Sequence, residues 1–190
     1  MTDEAIRAAL IRDVRSGFDA LVPALMPRVH GFAYRLCGDA HRAEELAQET
    51  FVRAYLALNT WPDERIAALM PIPWLFRIAL NLHRNGLRQQ HSDGEPHCDD
   101  GASLVTELPG DAADWPEPAA IHGEERGELV ALVATLPAHL RLALVLRHVE
   151  GLTYPQIAAM LGQPAGTIKS HVHRAIRQLR LALADPAERK

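Results

Sequence analysis

Residues 91–128 hold eleven acids and a single base, Arg126, scattered among prolines and glycines, and no apolar spacing of three and four runs through them. Such a stretch buries too little apolar surface to offset the entropy of ordering it, which predicts an acidic flexible linker. Whatever folds must fold on either side of it. The expected organisation is therefore two small domains, 1–90 and 127–184, joined by a linker over 91–126.

Net charge has to be read through the same division. The whole chain of 190 residues carries −4, which by itself argues against a phosphate-binding surface. The first 90 residues hold 11 Arg against 10 acids, the segment 91–128 stands at −10, and residues 129–190 hold eight bases against Glu150, Asp185 and Glu188. The last module is thus basic, and the mild total conceals it. Leu and Ala dominate while aromatic residues make up 5%, a composition that favours helices over a β-sandwich. Cys37 and Cys98 form neither a disulfide framework nor a zinc set, as suits a reducing cytoplasm. The N-terminus carries acids ahead of its apolar residues, unlike a signal peptide, and no run approaches the ~18 apolar residues of a span, so no membrane insertion is expected.

Apolar spacing predicts an all-α chain. In the first module, Ile6 to Val14 reads as a helix that Ser16-Gly17 breaks. Phe18 to Cys37 carries a stripe of Leu21, Leu25, Val29, Phe32 and Leu36, interrupted by Pro23 and Pro27, with Gly38 as the stop. Asp39 offers an N-cap for a helix from about His41 to Asn59, with Leu46, Phe51 and Tyr55 inward and Glu44, Glu45, Gln48, Glu49 and Arg53 outward. Thr60 to Ile72 reads as a loop, and Pro73 opens a helix through Arg88.

The second module reads as Gly127 to Leu136, a stop at Pro137, a helix through Leu140, Leu144 and Val145 to Val149, and an end at Gly151. Thr153 caps a short helix, Tyr154 to Leu161; Gly162-Gln163-Pro164 turns the chain; a last helix runs from about Ala165 to Leu183. This is a helix-turn-helix pattern. Ile168, Val172, Ala175 and Leu179 face inward, leaving Lys169, His173, Arg174, Arg177 and Arg180 as a basic stripe opposite. In such motifs the start of the second helix meets base edges while cations and hydroxyls hold phosphates. Candidate DNA contacts are Thr153, Tyr154, Thr167, Lys169, Ser170, His173, Arg174 and Arg177.

Other groupings read as structure. Trp74 and Phe76 stand at helical spacing beside Leu75 and Ile78, as core residues do. His91, His97 and Cys98 fit no common zinc spacing, so neither metal nor cofactor is expected, and Cys37 reads as a small buried hydrophobe. Neither a nucleophile elbow nor a Gly-rich phosphate loop is visible, which argues against an enzyme.

The run LTYPQIAAMLGQPAGTIKSHVHRAIRQLR, residues 152–180, resembles region four of the sigma-70 family, in particular its extracytoplasmic-function (ECF) group. Asp39-Ala40 with the run Ala43 to Tyr55, and Pro73 to Leu82 with its Trp-Leu and Ile-Ala-x-Asn elements, resemble region two. The resemblance covers about residues 10–90 and 125–183 in the family's order. It implies a dissociable initiation subunit that binds the clamp and flap of the large subunits of core RNA polymerase, reads duplex promoter DNA with region four, and captures unpaired bases with region two. Polymerase docking falls on Glu44, Glu45, Gln48, Glu49, Phe51 and Arg53. Single-strand contacts fall on the segment from Thr60 to Ile72 with Trp61, and on Asn81, Arg84 and Arg88. An anti-sigma partner is implied as well. The acidic linker suggests a mimic of RNA phosphates within polymerase channels. The chain departs from the family where Gln89, Gln90, His91 and Asp93 replace a basic run, and where the loop reads Met70-Pro71-Ile72-Pro73 in place of a polar stretch. The alternative is a stand-alone helix-turn-helix regulator, which leaves the Glu-Glu-Leu-Ala-Gln-Glu-Thr-Phe helix unexplained.

Overall fold

The computed structural model describes the backbone of residues 2–91 and 131–184, and their side chains except those of 88–91. Every regular element among them is a helix. The chain divides into two compact units, Met1–Cys98 and Asp99–Lys190.

In the first unit, α1 (Asp3–Arg12) starts at Thr2, whose hydroxyl accepts the Ala5 amide at 3.3 Å. It stops at Asp13, in extended conformation, and the same residue caps α2 (Val14–Cys37) by accepting the Ser16 amide at 2.8 Å. The break expected at Ser16-Gly17 is therefore confined to one residue, Asp13, three positions before Ser16. A capping carboxylate satisfies the first free amides and lets a new helix begin at once, with Ser16 and Gly17 in its first turn. Gly17 serves a different purpose: a Cβ there would stand 2.6 Å from Leu10 N and 2.7 Å from Ala9 C, so its absence lets α1 and α2 touch backbone to backbone.

Helix α2 continues through Pro23 and Pro27. Both prolines are exposed, as is Asp19, so the carbonyls that lose a helical donor do so on the side where water can serve them. The helix ends as expected at Gly38, φ 72°, whose amide donates to Tyr34 O at 2.8 Å. Asp39 then caps α3 (Ala40–Leu58), accepting from the Arg42 amide at 2.8 Å. The segment expected to be a loop contains a short helix, α4 (Asp63–Ala67), and α5 (Pro71–His91) starts two residues before Pro73. Prolines at the first positions of a helix lose amides that have no partner anyway, so both are tolerated. Helix α2 packs on α1, α3 and α5, and α1 also packs on α4. Phe32 and Phe76 stack at the centre with ring centroids 4.3 Å apart.

In the second unit, residues 131–135 are helical and Pro137 interrupts them before α6 (Ala138–His148). The beginning expected at Gly127 lies outside the described residues, as do the linker, His97 and Cys98. Gly151, φ 73°, turns the chain into α7 (Tyr154–Leu161), and α8 (Ala165–Ala184) packs on both α6 and α7. Arg141 escaped the sequence reading. It is 2% exposed inside α6, donates Nη1–H to the carbonyl of Ala134, and its burial lowers the guanidinium pKa. A buried cation of this kind ties the end of the 131–135 segment to α6.

Candidate nucleic-acid interface

Helix α7 is held at its start by a reciprocal cap. Thr153 Oγ1 accepts the Gln156 amide at 3.4 Å, and Gln156 Oε1 accepts the Thr153 amide at 2.8 Å. It ends at Gly162 in the left-handed region, φ 65°, and Pro164 leads directly into α8. Ile168, Val172 and Ala175 are fully buried and fix the rotation of α8 about its axis. That rotation exposes Lys169, Ser170, His173, Arg174, Arg177 and Arg180, while Thr167 is half-buried. The expected basic face is thus presented to solvent on one helix, its six exposed residues oriented by three in the core. A shallow concavity of about 350 Å³ along the outer half of α8 is lined by His173, Ile176, Arg177, Arg180 and Leu181.

Tyr154 is half-buried, and the Arg147 guanidinium lies over its ring, 4.9 Å from the centroid. Arg147 is itself fixed by donating to Leu152 O at 2.9 Å. Behind the basic face, His171 meets His139 of α6. Burial, then His139, then Arg174 push the His171 pKa below its ordinary value.

In the first unit, α3 exposes Glu44, Glu45 and Gln48, with Glu49 paired to Arg53 at 2.6 Å and His41 to Glu45 at 3.4 Å. Phe51 is a correction to the expected docking set. It is buried, in edge contact with Phe18 at 6.2 Å, because it belongs to the inward stripe of Ala43, Ala47, Ala54 and Leu58. The apolar residues that do reach solvent on this helix are Val52, 52% exposed, and Leu56, 59% exposed. With Glu45 and Glu49 they follow spacings of four, three and four, a signal that was present in the sequence and marks a mixed acidic and apolar stripe. Leu46 and Tyr55, expected inward, are half-buried.

Trp61 is half-buried between two partners. Trp74 stands 4.9 Å away by ring centroid, tilted by 50°, and the Arg65 guanidinium lies 3.9 Å from the Trp61 ring centre. Trp74, expected in the core, is therefore half-buried beside Trp61, whereas Phe76 is fully buried as expected. Asn81 and Arg84 are half-buried, and the side chain of Arg88 lies outside the described residues. Counting turns from Trp74 places Arg77, Asn81, Arg84 and Arg88 along one stripe of α5, and the exposed Arg77 is an addition to the expected set. Cys37 is half-buried with Sγ 3.7 Å from His83 Nδ1, and burial pushes its thiol pKa up, away from the reactive thiolate. No group of three or more metal-ligating side chains occurs among the described residues, and no described helix is long and apolar enough to cross a membrane.

Comparison with known proteins places these features in context. Residues 21–92 match the family model of Sigma-70 region 2, and residues 126–179 match Sigma-70, region 4. The chain is 32% identical to the RNA polymerase sigma-H factor of Pseudomonas aeruginosa over 95% of its own length and 93% of that protein. It is 35% identical to the ECF RNA polymerase sigma factor SigE of Mycolicibacterium smegmatis, covering 88% of this chain and 62% of that longer protein. Among solved structures, the sigma factor RpoE from Bartonella quintana, crystallised with the anti-sigma factor NepR, superposes with a TM-score of 0.63 at 25% identity, over 89% of this chain and 98% of that one.

Proposed function

The chain belongs to the sigma-70 family, within its ECF group, and from that premise we propose how its residues divide the work of an alternative sigma factor. A sigma factor binds core RNA polymerase, directs it to promoters and assists strand opening. Residues 1–90 dock on the polymerase clamp through the α3 stripe of Glu44, Glu45, Gln48, Glu49 and Arg53, with Val52 and Leu56 supplying the apolar part of the contact. The same unit holds unpaired promoter bases through Trp61 and the α5 stripe of Asn81, Arg84 and Arg88. Residues 127–184 meet the polymerase flap and read the upstream promoter element as duplex, with α8 in the major groove and Lys169, Ser170, His173, Arg174 and Arg177 reaching bases and phosphates.

The observation that carries this reading is the exposed basic face of α8, presented directly behind a capped α7 and a left-handed Gly162 turn. The protein does no covalent chemistry of its own. Its contribution is positioning: unstacking a base costs a few kcal/mol per step, and a stacking surface plus cations returns that energy once the strand is open. An anti-sigma factor is a further partner, and the site of action is the cytoplasm. Run-off transcription with added core polymerase, followed by mapping of start sites, tests the whole scheme. Promoter-specific transcripts that depend on both proteins are the expected result. Tight binding of the isolated protein to operator DNA, with no association with core, would instead identify a stand-alone regulator.

A further inference from the structure

Helix α1 lies ahead of the region 2 match, which begins at residue 21. It is nevertheless built into the unit. Ile6 and Leu10 are buried, its backbone meets α2 at Gly17, and it packs on α4. Its longest-range polar contact is specific: Arg7 Nη1 donates to the carbonyl of Leu69 at 3.1 Å, across 62 positions of sequence.

The sequence explains why that carbonyl needs a donor. Leu69 lies between α4 and α5, ahead of the first helical carbonyl of α5, so no helical amide is placed to serve its C=O, and Pro71 and Pro73 carry no N–H to offer it. The next carbonyl along, that of Met70, is served by the Trp74 amide at 3.1 Å. The bond to Leu69 is part-buried, where an unmet carbonyl is costly. The junction of α4 and α5 therefore presents a part-buried carbonyl outside either helical ladder, and Arg7 serves it from α1.

That junction controls the aromatic cluster. Ile66 and Leu69 are its buried anchors, Arg65 of α4 lies over Trp61, and Trp74 at the start of α5 closes the other side. Moving α4 moves Arg65, and moving the first turn of α5 moves Trp74.

We infer that α1 is a brace for the segment 59–70, with Arg7 as its positioning residue, and that it governs the capture of unpaired promoter bases and not docking on polymerase. This rests on the reading that Trp61 and its segment receive those bases. The fold supports the separation: α1 packs on α2 and α4, whereas the proposed docking stripe belongs to α3.

The test uses full-length protein with core polymerase on promoter DNA carrying 2-aminopurine at the first unpaired positions, alongside separate measurements of core affinity and melting temperature. Arg7→Ala is expected to lower the rate of opening by about tenfold, the scale of one lost hydrogen bond from a charged donor, with core affinity within about twofold and the melting temperature lowered only by the several degrees that one such bond accounts for. Arg7→Lys, which keeps a donor, should recover most of the rate. Arg12→Ala, which removes a charge from the same helix without touching the junction, should open like the wild type. Wild-type opening by Arg7→Ala, when Trp61→Ala is impaired, overturns the brace. So does a loss of core affinity in step with opening, because that marks α1 as support for the whole unit. Wild-type opening by Trp61→Ala overturns the underlying reading of the segment, and the brace with it.

Discussion

The rings of His139 and His171 meet edge to face, centroids 4.9 Å apart, where α6 packs on α8. Burial, His139 and Arg174 all oppose a charge on His171, so its folded pKa lies below the ordinary value near 6.5. Between those two values the unfolded chain binds the proton more readily, and stability falls as pH drops from about 6.5 through the folded pKa. Above that window the neutral His171 costs nothing. Thermal unfolding of the wild type and of His171→Phe from pH 7.5 to 5 checks this: the wild type should lose ground to the variant as pH falls. Parallel curves would refute the assignment.

Gly17 and Gly31 sit on the same helix and should respond to alanine with opposite signs. At Gly17 the new methyl meets the α1 backbone at 2.6 Å, and backbone has nowhere to go, so Gly17→Ala should cost about 3 kcal/mol, the upper range for overpacking. At Gly31 the nearest atoms are the flexible end of Arg35 at 3.7 Å, and Gly31→Ala should gain about 0.5–1 kcal/mol from helix propensity. Urea unfolding of both variants decides it.

Thr153→Ala removes the hydroxyl half of the cap on α7 and should cost about 1 kcal/mol, whereas Thr153→Ser should be nearly neutral. Because α7 and α8 pack together, the alanine variant should also bind upstream promoter duplex more weakly. Denaturant midpoints and duplex titrations of the two variants are the relevant measurements.

Lys169→Ala and Arg177→Ala each take one exposed cation off α8. If each meets one phosphate, the slope of log affinity against log salt for duplex binding should shrink by about one unit per variant. Gln178→Ala, an exposed uncharged neighbour, should leave the slope unchanged. Equal slopes across all three would remove these residues from the phosphate contacts.

Leu56 is 59% exposed on α3, so Leu56→Glu should leave the melting temperature within about a degree or two, as surface substitutions do. Its core polymerase affinity should fall at least about tenfold, as expected when a charge is set into an apolar contact. Pull-down titration against core polymerase separates the two effects. Undiminished affinity would shift the docking surface elsewhere.

Much of the fold was legible because its signals are local. Asp39, Gly38, Thr153 and Gly162 each act on amides or carbonyls a few residues away, so their caps can be read from the letters around them. The basic face of α8 was equally legible, since Ile168, Val172 and Ala175 define its inward side by spacing alone. The misreadings share the opposite property. Gly17 lies against the α1 backbone, a contact that only the fold reveals, and the Leu69 carbonyl ahead of α5 takes its donor from an arginine more than sixty residues away. Phe51 is buried, as its register with Ala47 and Ala54 indicates, and its place in the docking set came from the family resemblance alone. Arg141 gave no signal, because only tertiary packing puts a cation beneath a helix and then satisfies it from Ala134.

Trp61 and Tyr154, one in each unit, carry an arginine guanidinium against a ring face, Arg65 and Arg147 respectively. Each guanidinium covers apolar ring carbon that would otherwise face water. On the proposed reading of Trp61 and Tyr154 as nucleic-acid contacts, this cover limits the sticky surface the unbound protein shows to other molecules. On that same reading, the covering guanidinium is already the kind of group that a phosphate would attract.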